Sequence, residues 1–247
     1  MCAKKNENVL EGLEQAAIQV IGRAIAFDSD GRYQTALASY QEGIQLFLDV
    51  IKNTNDKKKL DILRQKTTEY ITRAEKVKEK VQELKDSGNY HEQIHIPNDS
   101  SGFSYESIFG KYLGKDVTKV EIDDPYIRTV HQAYNFLSFC ELLVKCCPNL
   151  REIKLETGVN KQDEIGQKGR LQAIGNSLRT HNVTLIVEYS DSLHDREVRF
   201  DNGWIVKIGR GLDFFKPVNK FTIGFSNQSL RLCHETNVDI FFHQTDK

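Results

Sequence analysis

The chain has 247 residues, and its 34 lysines and arginines nearly balance its 35 aspartates and glutamates, which gives a formal net charge of −1. Hydrophobic residues make up 39% of the chain and charged residues 28%, so a sizeable core can form and global disorder is excluded. The balance also excludes a protein whose whole surface attracts nucleic acid or membrane. We expect no nucleic-acid partner, and any anionic partner must be bound by a local patch.

The N-terminal residues show no apolar run of signal-peptide length, and nowhere do 18 consecutive apolar residues occur. We therefore expect a cytoplasmic protein whose membrane contact is peripheral. The five cysteines are odd in number, and their spacing fits neither a disulfide framework nor a zinc site. The sequence indicates no metal and no organic cofactor.

The first 86 residues contain no proline, and their apolar spacing predicts three helices. The cluster at 28–31 separates the first two helices, and Asp30 is expected to cap the second. Short links between the helices predict an antiparallel three-helix bundle over residues 7–86. The apolar faces are Leu10, Leu13, Ala17, Val20, Ile21 and Ala24; then Tyr33, Leu37, Tyr40, Ile44, Phe47 and Ile51; then Leu60, Leu63, Tyr70, Ala74, Val77, Val81 and Leu84.

The composition changes after Gly88, and a loop-forming cluster at 97–102 marks the end of a predicted linker over residues 87–102. Strand-like and helix-like stretches then alternate, which predicts an α/β domain over residues 103–247. Asn202-Gly203 lies between two alternating segments and predicts a hairpin over 198–208. Further strands are predicted at 117–122, 153–155, 183–189, 221–225 and 238–242, and helices around 136–143 and 171–178.

The third helix shows a second, mildly apolar stripe beside its core face. Ile71 lies one position off that face and is followed at i+4 by Glu75. With Thr67, Thr68 and Lys78, it would form the kind of surface that an amphipathic partner helix uses. The alternative is that Ile71 only widens the core face.

Three signatures in the helical half resemble the MIT (microtubule interacting and trafficking) domain. The resemblance covers about residues 7–86 and implies a three-helix bundle that binds the C-terminal helical tails of ESCRT-III subunits. It implies that Ile71 contacts a tail leucine and that Glu75 pairs with a basic residue of the tail. The predicted tail-binding residues are Thr67, Ile71, Ala74, Glu75 and Lys78. The signatures are Ala24-x3-Asp28, Gly31-x-Tyr33-x2-Ala36-Leu37-x2-Tyr40-x2-Gly43-Ile44 and Tyr70-Ile71-x-Arg73-Ala74-Glu75-x-Val77-Lys78.

In the second half, His194, Arg196 and Asp201 have the spacing H-x-[KR]-x4-D. A histidine at this spacing could attack phosphorus while the cation holds the phosphate oxygens. The pattern is similar to the signature of the phospholipase D superfamily, whose enzymes need two copies that face each other. Here arginine replaces lysine, and no other histidine matches the pattern. We expect a vestigial site that binds phosphate without chemistry. The alternative is a phosphodiesterase that uses His194 in a dimeric active site.

Longer segments resemble a narrow family that pairs an MIT module with a phospholipase-D-like domain. That family's C-terminal domain dimerises and binds acidic phospholipid membranes. The resemblance implies a homodimer that is recruited by ESCRT-III and acts in abscission during cytokinesis, at the midbody and late endosome. A further alternative is a bundle that only tethers a structural dimer. The segments are 122–128, 131–137, 194–213 and 230–241.

Basic residues around the second motif are the candidates for binding phosphoinositide-like head groups. Each basic group near an anionic bilayer contributes about 1 kcal/mol, so several must act together, and a dimer would double the patch. The alternative is that each is an ordinary solvated charge. Trp204 could lie at a membrane interface, but we expect a cross-strand core contact. The lipid candidates are Arg196, Arg199, Lys207, Arg210, Lys216 and Lys220.

Overall fold

The computed structural model describes residues 2–54 and 56–243, with side chains from residue 10 onward. Its contacts divide the chain after Glu92 into two compact units. The last four residues of the predicted second domain, 244–247, lie outside the described residues. No helix in the described part of the chain is long and apolar enough to cross a bilayer. Cys140, Cys147 and Cys233 are buried free thiols.

The first unit contains the three predicted helices. They are α1 (Cys2–Ser29), α2 (Tyr33–Asn53) and α3 (Lys57–Asp86). Side chains from all three helices form one apolar core, with Tyr70 and Phe47 stacked at 6.0 Å between ring centroids. The core contains Ala17, Ile21, Ala24, Ala36, Tyr40, Phe47, Val50, Leu63, Ala74 and Val77.

The predicted cap of α2 is wrong. The residue at the N-cap position is Arg32, which makes no side-chain capping bond, while the Asp30 N–H donates to the Ala26 carbonyl as the last turn of α1 closes. A turn at Gly31, with φ of 75°, therefore separates the two helices. The capping carboxylate is at α3, where Asp56 accepts hydrogen bonds from the N–H groups of Lys58 and Lys59.

Asp28 links all three helices from a buried position. Its carboxylate accepts two hydrogen bonds from the Arg73 guanidinium, at 2.6 and 2.7 Å, and one from the Tyr40 hydroxyl at 3.2 Å. Burial and the neighbouring carboxylate raise the pKa of Tyr40. Asp28, Tyr40 and Arg73 each belong to one of the three sequence signatures. The signatures therefore include residues that hold the bundle together.

The second unit is built on a seven-stranded sheet of order β1-β7-β6-β5-β2-β3-β4. Strands β2, β3 and β4 are parallel, while β5, β6 and β7 join them through antiparallel pairs. The strands are His91–Ile96, Lys119–Asp123, Glu152–Thr157, Thr184–Tyr189, Glu197–Phe200, Trp204–Ile208 and Thr236–Phe242, and the helices are α4 (Tyr105–Phe109), α5 (Val130–Cys146) and α6 (Glu164–Arg179).

The predicted hairpin is confirmed, with Asn202-Gly203 in the turn between β5 and β6. Trp204 is buried and packs against Tyr112 and Phe242, at 4.6 and 5.1 Å between ring centroids, so its predicted core role is also confirmed. A second aromatic cluster surrounds the buried Tyr105, whose hydroxyl donates to the Leu212 carbonyl. Its members are Phe109, Phe139, Phe214 and Phe215.

Two segments differ from the prediction. The predicted linker at 87–102 contains β1, where the side chains of Glu92, Ile94 and Ile96 are buried in alternation. Its polar residues are bonded along β7, since Gln93 donates to Asp239 at 2.7 Å. The strand predicted at 221–225 is wrong, because Phe221 has a φ of 67° and Gly224 a φ of 92°, and neither conformation fits an extended strand.

Candidate functional site

Three of the predicted tail-binding residues lie on the exposed face of α3. Ile71, Glu75 and Lys78 are exposed and lie within about 60° of one another around the helix, since each residue advances about 100°. Ile71 is 37% exposed, whereas the adjacent Tyr70 packs against the core, so the structure does not favour the core interpretation of Ile71. We call these three residues the α3 stripe.

Two members of the predicted set belong to the interior instead. Thr67 is only 3% exposed, and its hydroxyl donates to the Leu63 carbonyl at 2.7 Å, one turn earlier. Ala74 is 7% exposed and belongs to the bundle core. Both side chains face the other helices, so neither presents an exposed contact for a partner.

The second candidate site lies at one edge of the sheet. The parallel strands β2, β3 and β4 all end there, which is the edge where sheets of this type bind ligands. Because β5 runs antiparallel to β2 and β6 antiparallel to β5, the residues before β5 and after β6 reach the same edge. Strand order therefore brings Tyr126, Arg196 and Arg210 together from three separate loops.

These loops enclose an open cavity of about 230 Å³, which we call the arginine cavity. Its lining residues are Tyr126, Gln132, Arg196, Arg210 and Asp213. The Arg196 guanidinium lies 4.4 Å from the centre of the Tyr126 ring and donates through Nη1 to the Gly209 carbonyl. These contacts hold the guanidinium plane at the cavity wall. Arg128 lies over the same ring at 5.3 Å.

The carboxylate in the arginine cavity is already bonded to neighbours on α5. Asp213 accepts hydrogen bonds from His131 at 2.6 Å and from Gln132 and Asn135 at 3.0 Å each. Among the described residues, Arg196 and Arg210 form no ion pair with a carboxylate. The cavity therefore presents two guanidinium groups whose charge is available to an external anion.

A second carboxylate, Asp124, fixes the loop that carries Arg210. It is buried and accepts hydrogen bonds from the N–H groups of Leu212 at 2.9 Å and Tyr126 at 3.0 Å. Burial raises its pKa to about 6. Gly211 has a φ of 62°, and a Cβ at that position would collide with the Asp124 carboxylate. Glycine is thus required where the segment Gly209-Arg210-Gly211 approaches Asp124.

The three residues of the phospholipase-D-like spacing do not form one cluster. His194 is exposed in the loop before β5, while Asp201 follows the last residue of that strand. The Asp201 carboxylate is bonded to the backbone N–H and the hydroxyl of Thr118. Only Arg196 lines the arginine cavity, so within one chain the spacing does not bring a nucleophile and a carboxylate together.

Two of the predicted lipid-binding residues lie elsewhere. Arg199 is bonded to Asp123 at 2.6 Å, to Glu121 at 3.3 Å and to Glu197, and Lys207 pairs with Glu197 at 2.9 Å. Strand register places both on the sheet face opposite the core, where carboxylates outnumber cations. That face carries Lys119, Lys154, Arg199 and Lys207 beside Glu121, Asp123, Glu152, Glu156, Glu188, Glu197 and Asp239. We call it the acidic face, and it disfavours an anionic ligand.

The last two candidates follow the arginine cavity along the chain. Lys216 pairs with Asp99 at 2.6 Å, and Lys220 is exposed. Burial and the charges of Arg210 and Lys216 lower the pKa of His234. The structure therefore places Arg196 and Arg210 together at the arginine cavity, while the charge of Lys216 is compensated by Asp99.

Sequence reasoning gave no role to Tyr126, Gln132 or Asp213, although all three lie in segments that carried the resemblance. No spacing rule connects them with Arg196, because they are brought together by strand order alone. The available local signal was a polar cluster, Asp123-Asp124, directly after a β-branched strand. Polar residues at that position often belong to sites at the carboxyl ends of parallel strands.

Comparison with known proteins gives two family matches and a close relative. Residues 102–242 match the family described as phospholipase D-like domain at the C-terminus of MIT, and residues 14–79 match the MIT (microtubule interacting and transport) domain. The chain is 48% identical over 234 residues to MIT domain-containing protein 1 of Mus musculus, a match that covers 94% of each chain.

Proposed function

Since this chain belongs to the family in which an MIT domain precedes a phospholipase D-like domain, we propose that it is an adaptor between ESCRT-III tails and acidic phospholipid membranes. The observation that carries the membrane half is the arginine cavity, where Arg196 and Arg210 have no carboxylate partner among the described residues. The α3 stripe supports the tail-binding half.

The α3 stripe has the chemistry that a basic amphipathic helix needs. Ile71 offers an exposed apolar contact for a tail leucine, and Glu75, one turn further along, offers a carboxylate for an arginine or lysine. Lys78 on the same face favours an acidic residue at the matching position of the tail. The α3 stripe can therefore distinguish partner helices both by the position of their apolar residues and by their charges.

The arginine cavity suits a phosphate group. Arginine presents a planar fork of N–H donors that matches phosphate oxygens in pairs. The Tyr126 ring and the Gly209 carbonyl hold Arg196 in place before a ligand arrives, which reduces the side-chain entropy lost on binding. We infer that phosphoinositide-like head groups bind here, with Arg210, Lys216 and Lys220 adding attraction to the anionic surface.

We infer that the phospholipase D-like domain binds phosphate without hydrolysing it. In this chain His194 and Asp201 lie at the two ends of β5, and Asp201 is bonded to Thr118. The Asp213 carboxylate in the cavity accepts hydrogen bonds from His131 and Gln132, and none of the described lining residues is a histidine. Phosphodiester turnover by wild-type protein would overturn this inference.

We further propose that the protein acts as a homodimer through its C-terminal domain, in abscission at the midbody and at late endosomes. Each basic group near an anionic bilayer contributes about 1 kcal/mol, so one copy of the patch binds weakly. Two copies on one particle bind with greater avidity. Light scattering at twice the chain mass of 28.4 kDa, and fluorescence imaging in dividing cells, would test these two points.

Sedimentation with phosphatidylserine-containing vesicles tests the membrane half. The variant Arg196→Gln/Arg210→Gln loses two cations at the cavity, and we expect its vesicle affinity to fall about 30-fold. The matched control, Lys154→Gln/Lys207→Gln, makes the same change in net charge on the acidic face. We expect the control to retain wild-type affinity. Equal losses in both variants would show that only net charge matters, which would contradict a site at the cavity.

A further inference from the structure

The loop at residues 217–225 exposes three apolar side chains of the second unit. Phe221 is fully exposed, Ile223 is 85% exposed and Phe225 is 44% exposed. Isolated exposed apolar residues are common on soluble proteins, but three at alternate positions of one short loop are not. This is also the segment whose alternation predicted a strand, although no neighbouring strand pairs with it in the described part of the chain.

The base of the loop is held by specific bonds. The Arg231 guanidinium donates to the Gly224 carbonyl at 2.9 Å and to the Phe225 carbonyl at 2.5 Å. The Thr222 hydroxyl donates to the Asn219 carbonyl at 2.6 Å and closes a turn around Phe221. The loop therefore presents its tip as a defined turn. Phe221 keeps the left-handed φ of 67°, which is disfavoured for a bulky residue, without any burial of its ring.

Cations lie directly beside the apolar tip. Lys220 is adjacent to Phe221 and exposed, and Lys216 is one residue before the loop. Lys216 is paired with Asp99 at 2.6 Å, so Lys220 is the cation that remains exposed beside the tip. The loop thus combines protruding apolar side chains with an adjacent exposed cation, the combination found in segments that lie at bilayer interfaces.

We propose that the 217–225 loop inserts Phe221 and Ile223 into the bilayer while the exposed Lys220 contacts anionic head groups. Leu230 and Leu232 are also exposed, on the segment whose Arg231 is bonded to the base of the loop. Phe221 and Ile223 protrude from the turn with Lys220 beside them, whereas a protein partner would need a continuous, well-packed apolar patch without an adjacent charge. Lipid chains can close around protruding apolar groups, and anionic head groups match Lys220. This inference rests on the membrane association proposed above and specifies which segment enters the bilayer.

Tryptophan fluorescence can report the insertion directly. Trp204 is the chain's one tryptophan and is buried, so the wild-type protein provides a constant background. In full-length Phe221→Trp, we expect vesicles of phosphatidylserine and acyl-chain-brominated phosphatidylcholine to quench the added emission and shift it to the blue. Sedimentation without quenching would overturn insertion and leave the adaptor function intact. If the wild-type protein does not sediment at all, both proposals fail.

Substitution at the tip gives a second test. We expect Phe221→Asp and Ile223→Asp each to lower affinity for the same vesicles about tenfold, because each removes an apolar side chain from the bilayer. The matched control is Ile62→Asp on α3, where the side chain is 58% exposed; it should bind vesicles as the wild type does. An unchanged affinity in the two loop variants would overturn the proposal. So would conversion of a dimer to a monomer by Phe221→Asp, because the loop would then be a contact between copies.

Discussion

At the residue scale, Arg196 and Arg199 show how the fold distinguishes two side chains that the sequence presents alike. They lie three positions apart, on either side of the start of β5. Arg199 points to the acidic face and is neutralised by carboxylates of β2 and β5. Arg196 precedes the strand and stacks on Tyr126 at the sheet edge. Of the two, only Arg196 keeps a charge that an external phosphate can use.

Asp28 provides the first prediction at this scale. Its side chain is 6% exposed, whereas that of Arg73 is 52% exposed, so removal of the carboxylate leaves a cation that water can still reach. We expect Asp28→Ala to lower the free energy of unfolding by about 2 kcal/mol, below the cost of breaking a fully buried pair. Chemical denaturation measures this change.

The matched control for Asp28 is Glu83→Ala. This carboxylate pairs with Lys80 on the surface of α3, and both side chains are at least half exposed. We expect its loss to cost less than about 0.5 kcal/mol. Equal costs for the two variants would show that the Asp28 contact does not hold the three helices together.

Asp124 makes stability depend on pH. Burial raises the pKa of this carboxyl from an ordinary value near 3.8 to about 6, so the folded state binds its proton more tightly than the unfolded state does. The resulting stabilisation is present below pH 4 and is lost as the pH rises through 6. We expect the wild type to lose roughly 2 kcal/mol between pH 4 and 7 relative to Asp124→Asn, as measured by denaturation at several pH values. A constant difference between the two proteins would contradict the assignment.

At the element scale, α3 carries both the bundle core and the binding stripe. Ile71 and Ile62 are both exposed isoleucines of this helix, but nine positions separate them, which places them on opposite sides. We expect Ile71→Asp to weaken binding of an ESCRT-III tail peptide by about 10- to 100-fold, the effect of losing a buried isoleucine contact. Titration calorimetry with the full-length protein measures this loss.

Ile62→Asp is the control on the same helix and makes the same chemical change on the opposite side. We expect its tail affinity to equal that of the wild type. If Ile71→Asp binds the tail as tightly as Ile62→Asp, the tail-binding surface does not include the α3 stripe.

The elements that the sequence predicts correctly are those with a strong local signal. The three helices of the bundle have apolar spacing over many residues, and the hairpin has its Asn-Gly turn. Strand β1 was missed because only Ile94 and Ile96 supply aliphatic side chains to its buried positions, while the third is Glu92. The segment around Phe221 was wrongly predicted as a strand. Its alternating apolar side chains are exposed and do not belong to a paired strand. The arginine cavity was beyond prediction because strand order, which is non-local, assembles it.

At the scale of the whole molecule, the net charge of −1 conceals an uneven distribution. Within the second unit, carboxylates dominate the acidic face, while Arg196 and Arg210 lie together at the sheet edge. An anionic bilayer would therefore attract one side of this unit and repel the other. We infer that such a distribution orients the domain on a membrane and leaves the protein soluble between encounters.

The adaptor proposal requires that one protein hold a tail and a membrane at the same time. The most direct measurement is sedimentation of a fluorescent ESCRT-III tail peptide with phosphatidylserine-containing vesicles, with and without the full-length protein. We expect the protein to carry the peptide into the vesicle pellet, and we expect either Ile71→Asp or Arg196→Gln/Arg210→Gln to prevent this. If wild-type protein binds the vesicles and the peptide separately but leaves the peptide in solution when vesicles are present, the adaptor function is contradicted.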